Sequence, residues 1–316
     1  MILTVTLNPS IDYLYAKDTF TLGAQNRFTA PVRMIGGKGI NAGRTATILG
    51  SKVFVTGVLG GTNGKIVEKL LSAETFKHHF FPVPGETRNA ITIMHDQGIQ
   101  TEIVEEGPEI DPITERALFD YVITMCQQHP DISVICLSGS ANSTNELLYH
   151  ELIQLISHHF QDRIKVLADI SGNQLRNTLA SETLPFFIKP NLPEFGELLG
   201  IPLHSKAEVF DYLNHPLVKP IPLLLVSCGE DGAVAKYNDC IYDLKVPTIE
   251  LVNPTGSGDA TVGGIAYALD RHFEIEEVLR YGMVSGVANA LEEAVGFVQP
   301  NIIAKMLSQV TISIQS

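Results

Sequence analysis

Short runs of β-branched and aliphatic residues recur at positions 2–7, 52–58, 134–138, 165–169, 186–189 and 223–227, each compact enough for a buried strand. Between them the apolar positions fall at helical spacing, at 39–49, 64–71, 112–128, 145–160, 192–199 and 205–213, then at 260–269, 275–291 and 302–309. A further strand-like stretch covers 242–252. Strand-then-helix alternation predicts an α/β fold, a mostly parallel sheet with helices on both faces. Two segments break the rhythm. Residues 9–34 are polar and aromatic without a helical period, and residues 88–106 alternate around His95-Asp96-Gln97-Gly98, a hairpin signal. Both are expected to form a small second sheet, a lid over the active edge; an ordinary antiparallel edge of the main sheet is the other reading. No repeat or long linker divides the chain. Residues 1–316 are therefore expected to form one domain, with the lid drawn from about 9–34 and 86–107.

Composition narrows the picture. A chain of 316 residues with 45% hydrophobic and 18% charged residues can bury a sizeable core, and 26 glycines without Trp suit many strand-to-helix turns. A net charge of −13 argues against a nucleic-acid surface, which needs clustered Lys and Arg. It leaves room for a small anionic substrate held by local cations and helix ends. The acidic stretch 102–120 reads as a solvated face and a helix start. Cys126, Cys136, Cys228 and Cys240 show no metal spacing, and buried reduced thiols in a cytoplasmic protein are expected. The opening MILTVTLNPS reads as a strand, not a signal peptide, and apolar runs such as 221–226 are too short to span a membrane. His78-His79 and His158-His159 are adjacent pairs whose side chains face apart, so neither predicts a metal site.

Chemistry concentrates in a few places. Asn253-Pro254-Thr255-Gly256-Ser257-Gly258-Asp259 precedes a helix of small apolar residues. Glycines in a tight turn leave N–H groups bare at a helix start, a ready anion site. Gly256, Ser257 and Gly258 suit a phosphoryl group, with Asp259 facing an incoming hydroxyl as a base; an Asp that merely caps the helix is the competing reading. Gly36-Gly37-Lys38-Gly39-Ile40-Asn41 opens another helix. It fails the Walker A spacing. As a dinucleotide fingerprint it lacks an acidic residue at the end of the next strand. A substrate cradle remains, with glycine backbone, the Lys38 charge and Asn41 for a sugar hydroxyl. Asp12 ends the first strand region and suits vicinal hydroxyls, or a turn. Arg88 begins the hairpin and can fork onto a phosphate, or simply be solvated. Lys189-Pro190-Asn191 with Glu194 reads as a site for nucleotide phosphates and hydrated Mg²⁺, as a capping box, or as both. Ser227-Cys228-Gly229-Glu230-Asp231-Gly232 is first a turn.

In combination, GGKGINAGR, NPTGSGDATVGG and the intermediate NPSID, TRNAIT, LSGS, IKPNLPE and SCGEDGAVAK resemble the ribokinase-like, PfkB-type carbohydrate kinases over nearly the whole chain. The branch of tagatose-6-phosphate kinases and 1-phosphofructokinases is the most similar. The resemblance implies a three-layer α/β/α fold with a small β-sheet lid. It implies an ATP- and Mg²⁺-dependent kinase that turns a ketohexose phosphate into the bisphosphate, with Asp259 as general base and Gly256, Ser257 and Gly258 as the anion hole. Asp12, Gly37, Lys38 and Asn41 would hold the sugar, bordered by Ser138 and Gly139, with Arg88 and also Arg27 toward its phosphate. Lys189, Asn191, Ser227, Gly229, Gly232 and Thr255 would line the nucleotide, and Glu194 would order the metal through water. Two departures stand out: Asn253 where the family often has Asp, and Ala141-Asn142-Ser143-Thr144 where many members continue Leu-Pro-x-Gly. Kinases of nucleosides or vitamins on the same fold, and a non-catalytic sugar-phosphate-binding regulator, are the alternatives; Lys38 and Arg88 together favour a phosphorylated acceptor. The expected lid has apolar positions at Ile91, Ile93 and Ile103, which predicts a homodimer through it.

Overall fold

The computed structural model describes residues 1–315. The chain runs β1 Ile2–Thr6, β2 Ser10–Ala16, β3 Val32–Gly36, α1 Lys38–Ile48, β4 Val53–Gly60, α2 Gly61–Leu71, β5 Lys77–Val83, β6 Arg88–His95 and β7 Ile99–Val104. It continues α3 Pro112–Gln128, β8 Val134–Ser138, α4 Leu148–Phe160, β9 Lys165–Asp169, α5 Gly172–Leu179, β10 Phe187–Ile188, α6 Leu192–Leu199 and α7 Lys206–Tyr212. The last part holds β11 Leu223–Ser227, β12 Ala233–Tyr237, β13 Cys240–Lys245, α8 Ser257–Asp270, α9 Ile275–Ala290, α10 Pro300–Met306 and β14 Thr311–Gln315.

Ten strands form the main sheet in the order β14-β13-β12-β11-β10-β9-β8-β1-β4-β5. The pairs from β11 to β5 are parallel, while β12, β13 and β14 close one side antiparallel. Strand alternation splits the core in two. Ile2, Val55, Val134, Cys136, Leu167, Phe187 and Leu225 pack with α1, α8 and α9 on one face. Leu3, Val5, Ile135, Leu137, Val166, Ile188 and Leu224 pack with α3, α4 and α6 on the other. Both faces of the parallel strands are thus covered, which is why their sequences read as continuous apolar runs. The chain order reverses at β1, flanked by β4 and β8. Ligands of such sheets bind at the C-terminal strand ends beside this reversal.

The second sheet, β3-β2-β6-β7, stands apart from the main one. Its β6–β7 hairpin turns at Asp96 and Gln97, both at positive φ, as the sequence predicts. The alternative of an antiparallel edge on the main sheet is not what forms.

Several local expectations need correction. β5 begins Lys77-His78-His79, and this polar half hides an edge strand paired only with β4. The stretch expected as a strand over 242–252 leaves the ladder at Lys245, before Pro247 interrupts backbone donation. The helix expected from 145 starts at Leu148, because the Asn145 side chain and carbonyl first close a turn onto the N–H groups of Leu147 and Leu148. α2 starts at Gly61, earlier than its periodicity suggests, because the distant Glu86 carboxylate accepts from the N–H groups of Thr62 and Asn63. The helix expected over 302–309 begins at Pro300 and passes into a 3-10 turn after Met306. Among the cysteines, 126 and 136 are buried as expected, but Cys228 is half-buried and Cys240 is exposed at the start of β13.

Candidate active site

Five strand ends line up along the C-terminal edge of the main sheet, beside the reversal. In register, Thr6 of β1 stands beside Ser138 of β8, and Ser138 stands beside Asp169 of β9. Lys189 follows β10 directly, and the neighbouring Asn191 bridges to Ser227 at the end of β11. Two helix starts are brought to this edge, α1 with Lys38 and α8 with Asp259.

Asp259 lies in the first turn of α8. That helix starts from Gly256, whose φ of +79° is a left-handed conformation that favours glycine. A Cβ there would also collide with Val295 Cγ1. The turn spends the Ser257 N–H on Pro254 and the Ala260 N–H on Gly256. Helix geometry leaves Gly258 and Asp259 N–H groups without intrahelical partners. The buried Ser257 Oγ has no partner either. A Cβ at Gly258 would stand 2.9 Å from Lys189 Nζ, so glycine here admits the ammonium to the helix start. Bare N–H groups with a lysine beside them are a suitable cradle for a phosphoryl group.

Charges around this point are interlocked. Asp169, almost fully buried, stands 3.5 Å from Lys38 Nζ and 3.8 Å from Lys189 Nζ. Burial pushes its carboxyl up, but the two ammonium groups outweigh that and hold it below the usual carboxylate range. Lys38 is pushed up in turn, chiefly by Asp169, against the cost of its own burial. Asp259 behaves oppositely. Burial raises it to about 6 and the Asp169 charge adds to the rise, against Lys38, the Asn41 hydrogen bond and Lys189. Asn41 Nδ2 donates to Asp259 Oδ2 at 2.8 Å. Two carboxylates close together but driven apart in acidity are the arrangement expected of a counter-ion and a base.

Sequence reading passes over Asp169. An acidic residue ending an apolar strand is the signal expected at Asp12; the structure instead ends β1 at Thr6 and places Asp12 within β2 of the small sheet, whereas 165–169 does end on its acid.

Across the cleft, Asp12 of β2 accepts from Ser10 Oγ at 2.6 Å, and burial pushes its carboxyl above the usual range. Its carboxylate fills the space over Gly36, where a Cβ would overlap Oδ1. Arg88 of β6 pairs with Ser10 in the ladder, and its guanidinium donates to the carbonyls of Asn8 at 3.2 Å and Glu105 at 3.4 Å. Gly139 takes a φ of +87°, and its carbonyl accepts from the buried Tyr149 hydroxyl at 2.8 Å. The Ser138 hydroxyl is buried without a partner beside Asp169.

Other expected site residues have structural duties. Asn191 and Glu194 form a complete capping box on α6, at 2.8 and 2.9 Å. Gly232 lies so close to the Leu244 carbonyl that a Cβ would overlap it, and with Gly229 it shapes the turn between β11 and β12. Arg27 is not brought into the cluster; it lies exposed on the segment between β2 and β3. Both departures from the family pattern have structural uses. Asn253 Nδ2 donates to the Glu293 carbonyl at 3.0 Å while Oδ1 accepts from Thr255 N–H, and an Asp could not make the first bond. Asn142 donates to the Gly107 carbonyl at 2.8 Å, and Gln174 clamps Ala141 with two bonds.

Residues 5–301 match the family model described as pfkB family carbohydrate kinase. A tagatose-6-phosphate kinase of Staphylococcus epidermidis is 35% identical over 314 residues, 99% of each chain. A solved putative phosphofructokinase from Staphylococcus aureus superposes with a TM-score of 0.79 at 29% identity, over 100% of this chain and 99% of that one. A possible 1-phosphofructokinase from Thermotoga maritima superposes with a TM-score of 0.87 over 100% of both chains, a likeness of fold at 24% identity.

Proposed function

This chain belongs to the pfkB family of carbohydrate kinases, and we infer that it moves the γ-phosphoryl group of ATP to a ketohexose phosphate with Asp259 as general base. The observation that carries the base is the pairing of Asp259, raised to about 6, with a bare helix start one residue away. Near neutral pH such a carboxylate is ionised yet basic enough to take a hydroxyl proton as the oxygen attacks. The transferring group spreads negative charge over its equatorial oxygens. The N–H groups of Gly258 and Asp259 and the Lys189 ammonium would stabilise it, with Ser257 beside them in the turn. Asp169 keeps Lys38 charged and anchors the Lys189 ammonium by an ion pair. Mg²⁺ retains most of its waters and travels on nucleotide phosphates. Glu194 fits a role toward that hydrated ion, since Asn191 engages only one of its oxygens.

The acceptor would sit between Asp12, Lys38, Asn41, Ser138 and Gly139, under the small sheet acting as a lid. Tagatose 6-phosphate is favoured by the full-length relative at 35% identity. Steady-state kcat/KM with ATP on tagatose 6-phosphate, fructose 6-phosphate and fructose 1-phosphate tests this. Turnover of none of the three would sink it. Arg88→Ala should raise KM for the phosphorylated sugar at least about tenfold, the scale of a lost charge-assisted bond. An equal rise for ATP would remove Arg88 from the phosphate.

Among the described residues no helix is long and apolar enough to cross a membrane. Work on dissolved nucleotide and sugar phosphate fits the cytoplasm. Ile99 and Ile103 share one face of the small sheet and are each more than half exposed, and four strands with such a face gain from cover. A homodimer through this sheet follows. Light scattering at micromolar concentration should give twice the chain mass, and a monomer would count against it.

A further inference from the structure

Behind the base lies a partly buried ion pair, with Arg44 buried and Glu74 half-buried. The Arg44 guanidinium in α1 meets the Glu74 carboxylate at 2.9 Å through Nε and at 2.7 Å through Nη2. Its Nη1 donates to the Val295 carbonyl at 2.8 Å and to Asn41 Oδ1 at 2.9 Å. Asn41 lies one turn before Arg44, so the two side chains share a face. A guanidinium only donates. The amide oxygen of Asn41 must therefore face Arg44, and its Nδ2 must face Asp259, where it donates to Oδ2. Reversed, the amide would set an oxygen against the carboxylate.

We propose that Arg44, held by Glu74, is a positioning residue for the base: it locks the Asn41 amide so that Asp259 Oδ2 is occupied and Oδ1 is left to take the acceptor proton. The proposal rests on Asp259 being the base. Arg44 itself exchanges no proton. The charged groups that face Asp259 are Lys38 from α1, Asp169 from the end of β9 and Lys189 from beyond β10, with Arg44 behind Asn41. Freeing the amide removes a hydrogen bond that favours the ionised carboxylate, so Asp259 should ionise at higher pH.

Arg44→Met alone would leave the half-buried Glu74 charge without its partner. The test is therefore the neutral double variant Arg44→Met/Glu74→Gln, beside Arg44→Lys. In the double variant the acid limb of kcat/KM should move up by about half a pH unit or more, and kcat should fall about tenfold. KM for ATP should stay within about twofold, and Arg44→Lys should recover part of the loss. In an Asn41→Ala background the same double change should no longer move the limb, the signature of an effect passing through Asn41. A lower Tm with an unmoved limb makes Arg44 a strut and overturns the proposal, as does an equal shift without Asn41. The wild-type profile separates the two readings. Absence of an acid limb near 6 there counts against the base itself. A normal wild-type limb that ignores the double variant refutes Arg44 alone.

Discussion

Asp259→Asn should lower kcat by about 100-fold or more, the scale of a lost general base, while ATP binds within about threefold of its normal affinity. Asn is isosteric and still accepts from Asn41 through its own Oδ1, so the geometry is kept and only the basicity is lost. The same variant should melt higher than the wild type at pH 8. Asp259 ionises less readily in the folded chain than in the unfolded one, because burial raises it to about 6. Its charged form therefore lowers stability. That cost is absent below the unfolded value of about 4 and complete above the folded one. The Tm difference between this variant and the wild-type protein should shrink as pH falls from 8 toward 4. Near-normal turnover would end the base assignment. A Tm below the wild type at pH 8 would show that the carboxylate is not held at a cost.

Lys38→Met should be nearly as damaging, with turnover at pH 7 down about 100-fold, the scale of losing one preorganised charge beside the base. The reason differs. Lys38 is the nearer cation to Asp169, and without it Asp169 keeps Lys189 while Asp259 loses its principal opposing charge. The acid limb of kcat should therefore rise above 6. A lysine that only grips the sugar would raise KM and leave the limb unmoved. A pH series of kcat in this variant decides between the two.

Much of this site is legible as one-dimensional text because each part is a short local device. A glycine turn before a helix makes an anion cradle wherever it occurs, so Gly256 to Asp259 can be read without neighbours. The central strands are legible because burial on both faces demands apolar runs. What stays hidden is long-range. Glu86 caps α2 from another segment. Arg44 looks like an ordinary helix residue until Glu74, Val295 and Asn41 surround it. Asp169 is visible as a strand end, yet its value lies in two lysines that reach it from other elements. The histidine-led start of β5 misleads for a simpler reason, since an edge strand answers to solvent on one side.

The docking of α8 on α1 bears on how the chain is made. Ala42 and Thr45 of α1 pack against Gly263, where an added Cβ would stand 2.5 Å from the Ala42 carbonyl and 2.7 Å from Thr45 Cβ. Thr45 also ties to the Gly296 carbonyl at 2.8 Å. Synthesis runs from the N-terminus, so α1 leaves the ribosome long before either partner exists. At the usual pace of elongation its buried face waits roughly 10–40 s for α8 to be made. Throughout that interval the nascent chain carries this helix face uncovered beside half a sheet.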